Sequence, residues 1–280
     1  MGRLRNITDS RVGKAGSTVR GATIYSPFGK KIGGNVGQRI DESGTTQYYD
    51  LGTRYVSGDG RVYRYAKAGG TLIPGQGVHN YEEEYIRYAV LPAAVAAGSN
   101  TISATVNAHD GSRDTHNGSI AANELVGGYI VVFDKSAVNH VVLRMITSNT
   151  VVASGGGTTV MTVDDIFPLA LTTSDAIAAM CSPYLNVQSH TDETMPFVGV
   201  PTVPATVGQY VWIQTWGVCW IASQAAVGTG ANVHDVVFRH DGSLDIHTVN
   251  ETLQHAGFTI SSRARAGAQG ETFIMLQISI

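Results

Sequence analysis

Apolar and polar positions along the chain change in short runs rather than with a helical period, and β-branched and aromatic residues dominate those runs. Strands are predicted at 102–106, 129–133, 139–147 and 158–163, with Asp134-Lys135-Ser136 and Gly155-Gly156-Gly157 as turns between them. Five more are predicted at 210–221, 233–239, 244–249, 257–261 and 272–280. Residues 53–57 and 61–67 flank Gly58-Asp59-Gly60, and Asp-Gly between two such runs predicts a β-hairpin. Two stretches read instead as short helices: 82–90, stopped ahead of Pro92, and 173–180, opened by a Ser or Thr cap. Short strands, tight turns and no alternation of strand with helix predict an all-β fold of sandwich or barrel-like domains.

The longest run, from Gly208 to Ser223, holds every tryptophan of the chain: Trp212, Trp216 and Trp220. Val211, Ile213, Thr215, Val218 and Ile221 decide for a strand, and in a straight strand a spacing of four puts all three indoles on one face. Gly217 interrupts the run and marks a bulge or a sharp bend. Three aligned indoles read either as a carbohydrate platform or as a core or subunit-contact strand. The packed reading is favoured, because rings this large bury much apolar area.

Residues 1–46 show little periodicity, many glycines and at most a short strand at 22–25. They read as an extended arm, too poor in apolar surface to order itself without a partner. Arg3, Arg5, Arg11, Lys14, Arg20, Lys30, Lys31 and Arg39 stand against Asp9 alone in the first 40 residues, so that segment carries +7 while the whole chain carries −3. A basic start ahead of an acidic body predicts an arm that binds something else. Nucleic acid is one reading. A neighbouring acidic subunit is favoured, since aromatic residues do not interleave the basic ones. The organisation predicted is an arm at 1–46, a β-rich domain at 47–200 and a C-terminal β domain at 201–280 around the tryptophan strand.

Charged residues are 15% of the chain, against roughly 25% in an average soluble domain. A surface this neutral points to area that ends up against other proteins. A tyrosine-rich block strengthens the point, with Tyr55, Tyr63 and Tyr65 on strands whose two faces are both partly polar. Cys181 and Cys219 are the only thiols and lack metal spacing, so no structural zinc is expected. No secretory leader and no bilayer-spanning run are read, so a protein made in a cytoplasm that stays soluble or assembles there is expected.

One repeat stands out. His109-Asp110-Gly111-Ser112-Arg113-Asp114-Thr115-His116 matches His240-Asp241-Gly242-Ser243-Leu244-Asp245-Ile246-His247 at six of eight positions. It reads as a paired metal site or as a repeated hairpin turned by Asp-Gly. The hairpin is favoured, because no carboxylate cluster accompanies the segments. No nucleophile elbow, phosphate loop or dinucleotide fingerprint is present, so no cofactor and no catalytic residues are expected.

Three segments carry a resemblance: Asp50-Leu51-Gly52-Thr53-Arg54 continuing to Asp59–Ala68, Leu91-Pro92-Ala93-Ala94-Val95-Ala96-Ala97-Gly98-Ser99, and Gly208-Gln209-Tyr210-Val211-Trp212-Ile213-Gln214-Thr215-Trp216-Gly217-Val218. Together they resemble the small capsid decoration (cement) proteins of tailed bacteriophages, whose chains often carry a G-x-Y-x-W-V-Q-like strand and an apolar A-A-G turn. The resemblance implies a non-enzymatic virion component that binds the major capsid protein as a homo-oligomer, with a trimer favoured. Arg3, Arg5, Arg11, Lys14, Arg20, Tyr55, Tyr63 and Tyr65 would then supply contacts. A tail or spike module reading host glycans is the alternative, and a metal-dependent hydrolase is a weaker one.

Overall fold

The computed structural model describes residues 23–25, 31–32, 37–82, 84–135, 140–189, 195–224, 227, 234–248, 252–260 and 273–279. Among them the fold is all-β, with strands, turns and no helix. Two compact units divide the chain: Met1–Tyr81 with Tyr184–Ile280 form one, and Glu82–Pro183 form the other. The middle of the chain is thus an insertion, and its boundaries differ from those expected at 46/47 and 200/201. The strands on either side of the insertion pair directly, Asn80 opposite Val187, so the chain leaves and re-enters the first unit through neighbours.

The first unit opens with β1 (Thr23–Tyr25), β2 (Lys31–Ile32), β3 (Ser43–Gly44), β4 (Arg54–Val56), β5 (Val62–Lys67) and β6 (Val78–Asn80). The inserted unit contains β7 (Glu84–Val90), β8 (Thr101–Val106), β9 (Tyr129–Phe133), β10 (Val141–Asn149), β11 (Gly157–Val163) and β12 (Ala176–Met180). The first unit resumes with β13 (Val187–Gln188), β14 (Phe197–Pro201), β15 (Tyr210–Trp220), β16 (Asp235–Phe238), β17 (Leu244–Ile246), β18 (His255–Thr259) and β19 (Phe273–Gln277). Each unit owns one antiparallel sheet. In the first the main order is β17-β16-β18-β19-β15-β5-β4-β1-β2, with β3, β6, β13 and β14 attached. In the inserted unit it is β7-β12-β9-β10-β11-β8.

The hairpin expected around Gly58-Asp59-Gly60 is present, with Tyr55 opposite Tyr63 and Val56 opposite Val62. Both expected helices are strands. Residues 84–90 pair along β12, with Val90 opposite Ala176, and β12 pairs on its other edge with β9. Tyr85, Ile86, Tyr88 and Val90 carry the β-forming side chains there, and a sheet neighbour on each side of β12 outweighs the helix propensity of its alanines. Asp175 caps no helix. Its carboxylate receives the Thr172 and Lys135 amides at 2.7 and 2.8 Å and closes the turn that leads into β12.

Strand β15 is the axis of the first unit, pairing with β3, β5, β14 and β19. Trp212 stands opposite Tyr65 and Gln214 opposite Tyr63, but Trp216 stands opposite Val62. One extra residue on β15 therefore forms a bulge, and side chains beyond it exchange faces. The three indoles do not share a face. Trp212 is fully buried in an aromatic cluster, its ring 5.0 Å from Tyr65, 5.3 Å from Tyr49 and 5.6 Å from Tyr55. Val211 and Ile213 point the other way, into a cluster with Ala66, Leu72, Val78 and Ala205. Past the bulge, Cys219 enters a third cluster with Phe197, Val236, Phe238, Ile274 and Leu276. Gly217 adopts φ +94°, a left-handed conformation open to glycine, and a Cβ there would lie a tight 3.0 Å from Arg61 Cγ and 3.1 Å from its Cα.

Candidate functional site

Alternation fails on one side of the inserted sheet. Strands that face water on one side show polar residues at every second position, yet β9 reads Tyr-Ile-Val-Val-Phe and β12 reads Ala-Ile-Ala-Ala-Met. Ile130, Val132, Ile146, Ile177 and Ile86 fill the inner side and are fully buried. The registers place Val90, Ala176, Phe133 and Val141 in one row on the outer side. Ala178, Val131 and Leu143 form the next row, and Met180, Tyr129 and Met145 the third. Val141 is 66% exposed, Leu143 59%, Tyr88 56% and Val90 54%. The Tyr88 ring reaches across β12 to Phe133, with Lys135 Nζ 5.0 Å from the Tyr88 centroid. The outcome is an apolar outer side on four strands, exposed on β7 and β10, half-buried on β9 and buried at Ala176 and Ala178 of β12.

A second feature lies in the first unit, on the far side of the β15 bulge. Asp59, Arg61, Pro74, Gly75, Val200, Pro201, Thr202, Gln214, Val218, Cys219, Trp220 and Phe273 line a groove of about 420 Å³. The bulge puts Val218 and Trp220 on one face of β15, opposite Met275 and Phe273 of β19. Gly75 backs the Trp220 indole so closely that a Cβ would lie 2.4 Å from it. At the rim, Arg61 Nε donates to Asp59 Oδ2 at 2.8 Å. Burial opposes ionisation of Asp59, but hydrogen bonds from the Ser57 hydroxyl and from Arg61 outweigh it and hold the carboxyl below its usual range. Burial against the core pushes the Cys219 thiol up to about 12.

The residues singled out from the sequence fall differently. Arg3, Arg5, Arg11, Lys14 and Arg20 lie outside the described residues. Tyr55, Tyr63 and Tyr65 have 9%, 0% and 0% exposure, so their rings pack the first unit's own core and offer no contact area to a partner. Their strands looked two-faced because Arg64 and Lys67 interrupt β5, Arg64 mid-strand opposite Ile213 and Lys67 at the strand's end opposite Tyr210, whereas the tyrosines oppose one another and Trp212.

The repeat separates as well. His240–Ser243 turns the β16–β17 hairpin, with Ser243 capping Asp241 at 2.6 Å. The first copy is no hairpin. Its segment follows β8 in a long connection to β9, where buried Asp110 receives the Asn107 amide at 2.8 Å and Ser112 donates to Glu82 at 3.0 Å. The two copies belong to different units. Among the described residues no three His, Cys, Asp or Glu side chains converge to hold a metal ion.

The apolar face escaped sequence reasoning, although the lack of alternation in 129–133 and 176–180 was its signal. The groove had no signal, because Asp59, Gly75, Trp220 and Phe273 meet only through β-pairing. No family model matches the chain, and neither a curated protein nor a solved structure does.

Proposed function

We propose that this chain is a structural component of a phage particle, a decoration protein that binds the capsid shell and catalyses nothing. The observation that supports the reading is the outer face of the β7-β12-β9-β10 sheet, where Tyr88, Val90, Val141 and Leu143 are more than half exposed. Large apolar side chains gathered on one side of a sheet are a candidate interaction surface. Four strands spaced about 4.8 Å apart make a footprint of roughly 300 Å², short of the roughly 800 Å² per partner in a standard interface. A soluble pair of copies held by this face alone would be weak. A shell of repeated major capsid subunits suits it better, since many copies add modest site energies, and the basic segment ahead of Arg39 brings further contacts to an acidic neighbour.

The deciding experiment uses particles. Particles lacking the protein should form shells but lose DNA at lower temperature or under osmotic shock. Re-adding the purified protein should restore resistance at a fixed number of copies per shell subunit. Leu143→Glu should abolish that saturation while the protein stays folded, because a substitution at an exposed position changes stability by only about 0.5 kcal/mol. Depleted particles that remain robust but fail to adsorb to host cells would overturn this reading.

A further inference from the structure

We infer that the groove beside Trp220 binds a neutral pyranose sugar, held between the Trp220 indole and the Asp59–Arg61 pair. Its volume of about 420 Å³ falls within the roughly 300–1,000 Å³ of small-molecule sites. The chemistry of its lining is divided in the way a sugar is divided. Trp220, Val218 and Phe273 offer apolar surface for the C–H face of a ring, and Val218 and Phe273 are 48% and 44% exposed. Asp59 and Arg61 stand at the rim and retain hydrogen-bonding capacity. Arg61 gives only its Nε to Asp59, which leaves the terminal amino groups as donors. The Asp59 carboxylate, held ionised, already accepts from the Ser57 hydroxyl and from the Arg61 amide and Nε, which leaves one of its roughly four acceptor positions, on Oδ2, for a sugar hydroxyl. The pair is neutral as a unit, so it favours a neutral sugar over an acidic or cationic one.

The groove is also built to keep its shape. Gln214, 2% exposed, spends its amide donors on the Trp216 and Val218 carbonyls at 3.1 and 2.9 Å. Thr202 is tied to the Ile40 carbonyl at 3.0 Å. Trp220 Nε1 is buried with no hydrogen-bond partner, so packing against Gly75, rather than a polar contact, sets the ring's position. Such preorganisation lowers the ordering cost of binding. A proline-rich peptide is the competing occupant for an aromatic groove, and the titration below separates the two.

The test is a titration of the full chain with glucose, galactose, mannose and N-acetylglucosamine, read by saturation-transfer NMR and tryptophan fluorescence. At least one sugar should bind saturably. Trp220→Ala should weaken it by about tenfold or more, the usual effect of truncating an aromatic anchor. Asp59→Asn, on an exposed turn, should weaken the same sugar, while Leu143→Glu on the other unit should not. If Trp220→Ala fails to fold, Asp59→Asn decides alone. No saturable sugar, an Asp59→Asn protein that binds as the parent does, or a proline-rich peptide that binds in place of every sugar would each overturn the inference. Shell binding is read on particles without sugar, so either proposal can fail while the other stands.

Discussion

The Tyr65 hydroxyl donates to Gln38 Oε1 at 2.6 Å, and both groups are buried. Gln38 uses its amide donors on the Glu42 and Tyr210 carbonyls at 2.8 and 2.7 Å, while its own carbonyl receives the Trp212 indole at 3.2 Å. One side chain thus ties the segment around residues 37–49 to β5 and β15. Gln38→Leu keeps the volume and takes the partner from three polar groups; the Glu42 carbonyl sits on an exposed residue, so the Tyr65 hydroxyl and the Tyr210 carbonyl carry the cost, at about 1–3 kcal/mol each. The expected loss is about 2–4 kcal/mol in denaturant unfolding, with faster amide exchange in residues 37–49. An unchanged midpoint would show that this latch contributes nothing.

Tyr63 makes the opposite case. Its hydroxyl is buried with no hydrogen-bond partner, and burial pushes the phenol up to about 12 despite the nearby Arg61. Replacement by Phe removes an unsatisfied group, so Tyr63→Phe should be neutral or stabilising by up to about 1 kcal/mol. A pKa raised in the folded state means stability is full below the unfolded value near 10 and is lost as pH rises towards about 12. Tyr63→Phe should therefore lose less stability than the parent between those values. Parallel curves across that window would refute the assignment.

Asp175 gives the acid-side counterpart. Burial disfavours its charge, but the Thr172 amide, the Lys135 amide and the Thr172 hydroxyl hold the carboxyl below its usual range. A lowered pKa means that stability is present above about 3.9 and lost as pH falls through the folded value. Asp175→Asn should cost about 1.5–3 kcal/mol at neutral pH, the scale of hydrogen bonds to a charged group. The gap between parent and variant should close below about pH 4. A pH-independent gap would mean that the charge is not what holds the turn.

The all-β class, most strand positions and the Gly58-Asp59-Gly60 hairpin were legible in the sequence, because propensity and turn chemistry act within a few residues. Of the two expected helices, 84–90 carried β-forming side chains that the helix reading discounted, while 173–180 had no local signal for a strand. Residues 173–180 carry a cap-like Ser and Thr and helix-favouring alanines, and only β7 and β9 on either side of β12 force them to extend. The tryptophan run was rightly a long strand, but only Trp212 is fully buried, and the shared face of the three rings was lost to a bulge. That bulge is fixed by which β5 residue stands opposite Trp216, a pairing that links positions more than 150 residues apart.

Local sequence determined where this chain extends and where it turns, since backbone preference and hydrophobic alternation are properties of neighbours. Tertiary structure alone decided which surfaces those strands leave open. The tyrosines that looked like contact residues became core because Trp212 and Tyr49 close over them. Tyr88, Val90, Val141 and Leu143 became surface because the inserted sheet covers only one of its two apolar sides. Burial depends on what lies across the sheet, and a single strand's sequence does not specify its partner across space.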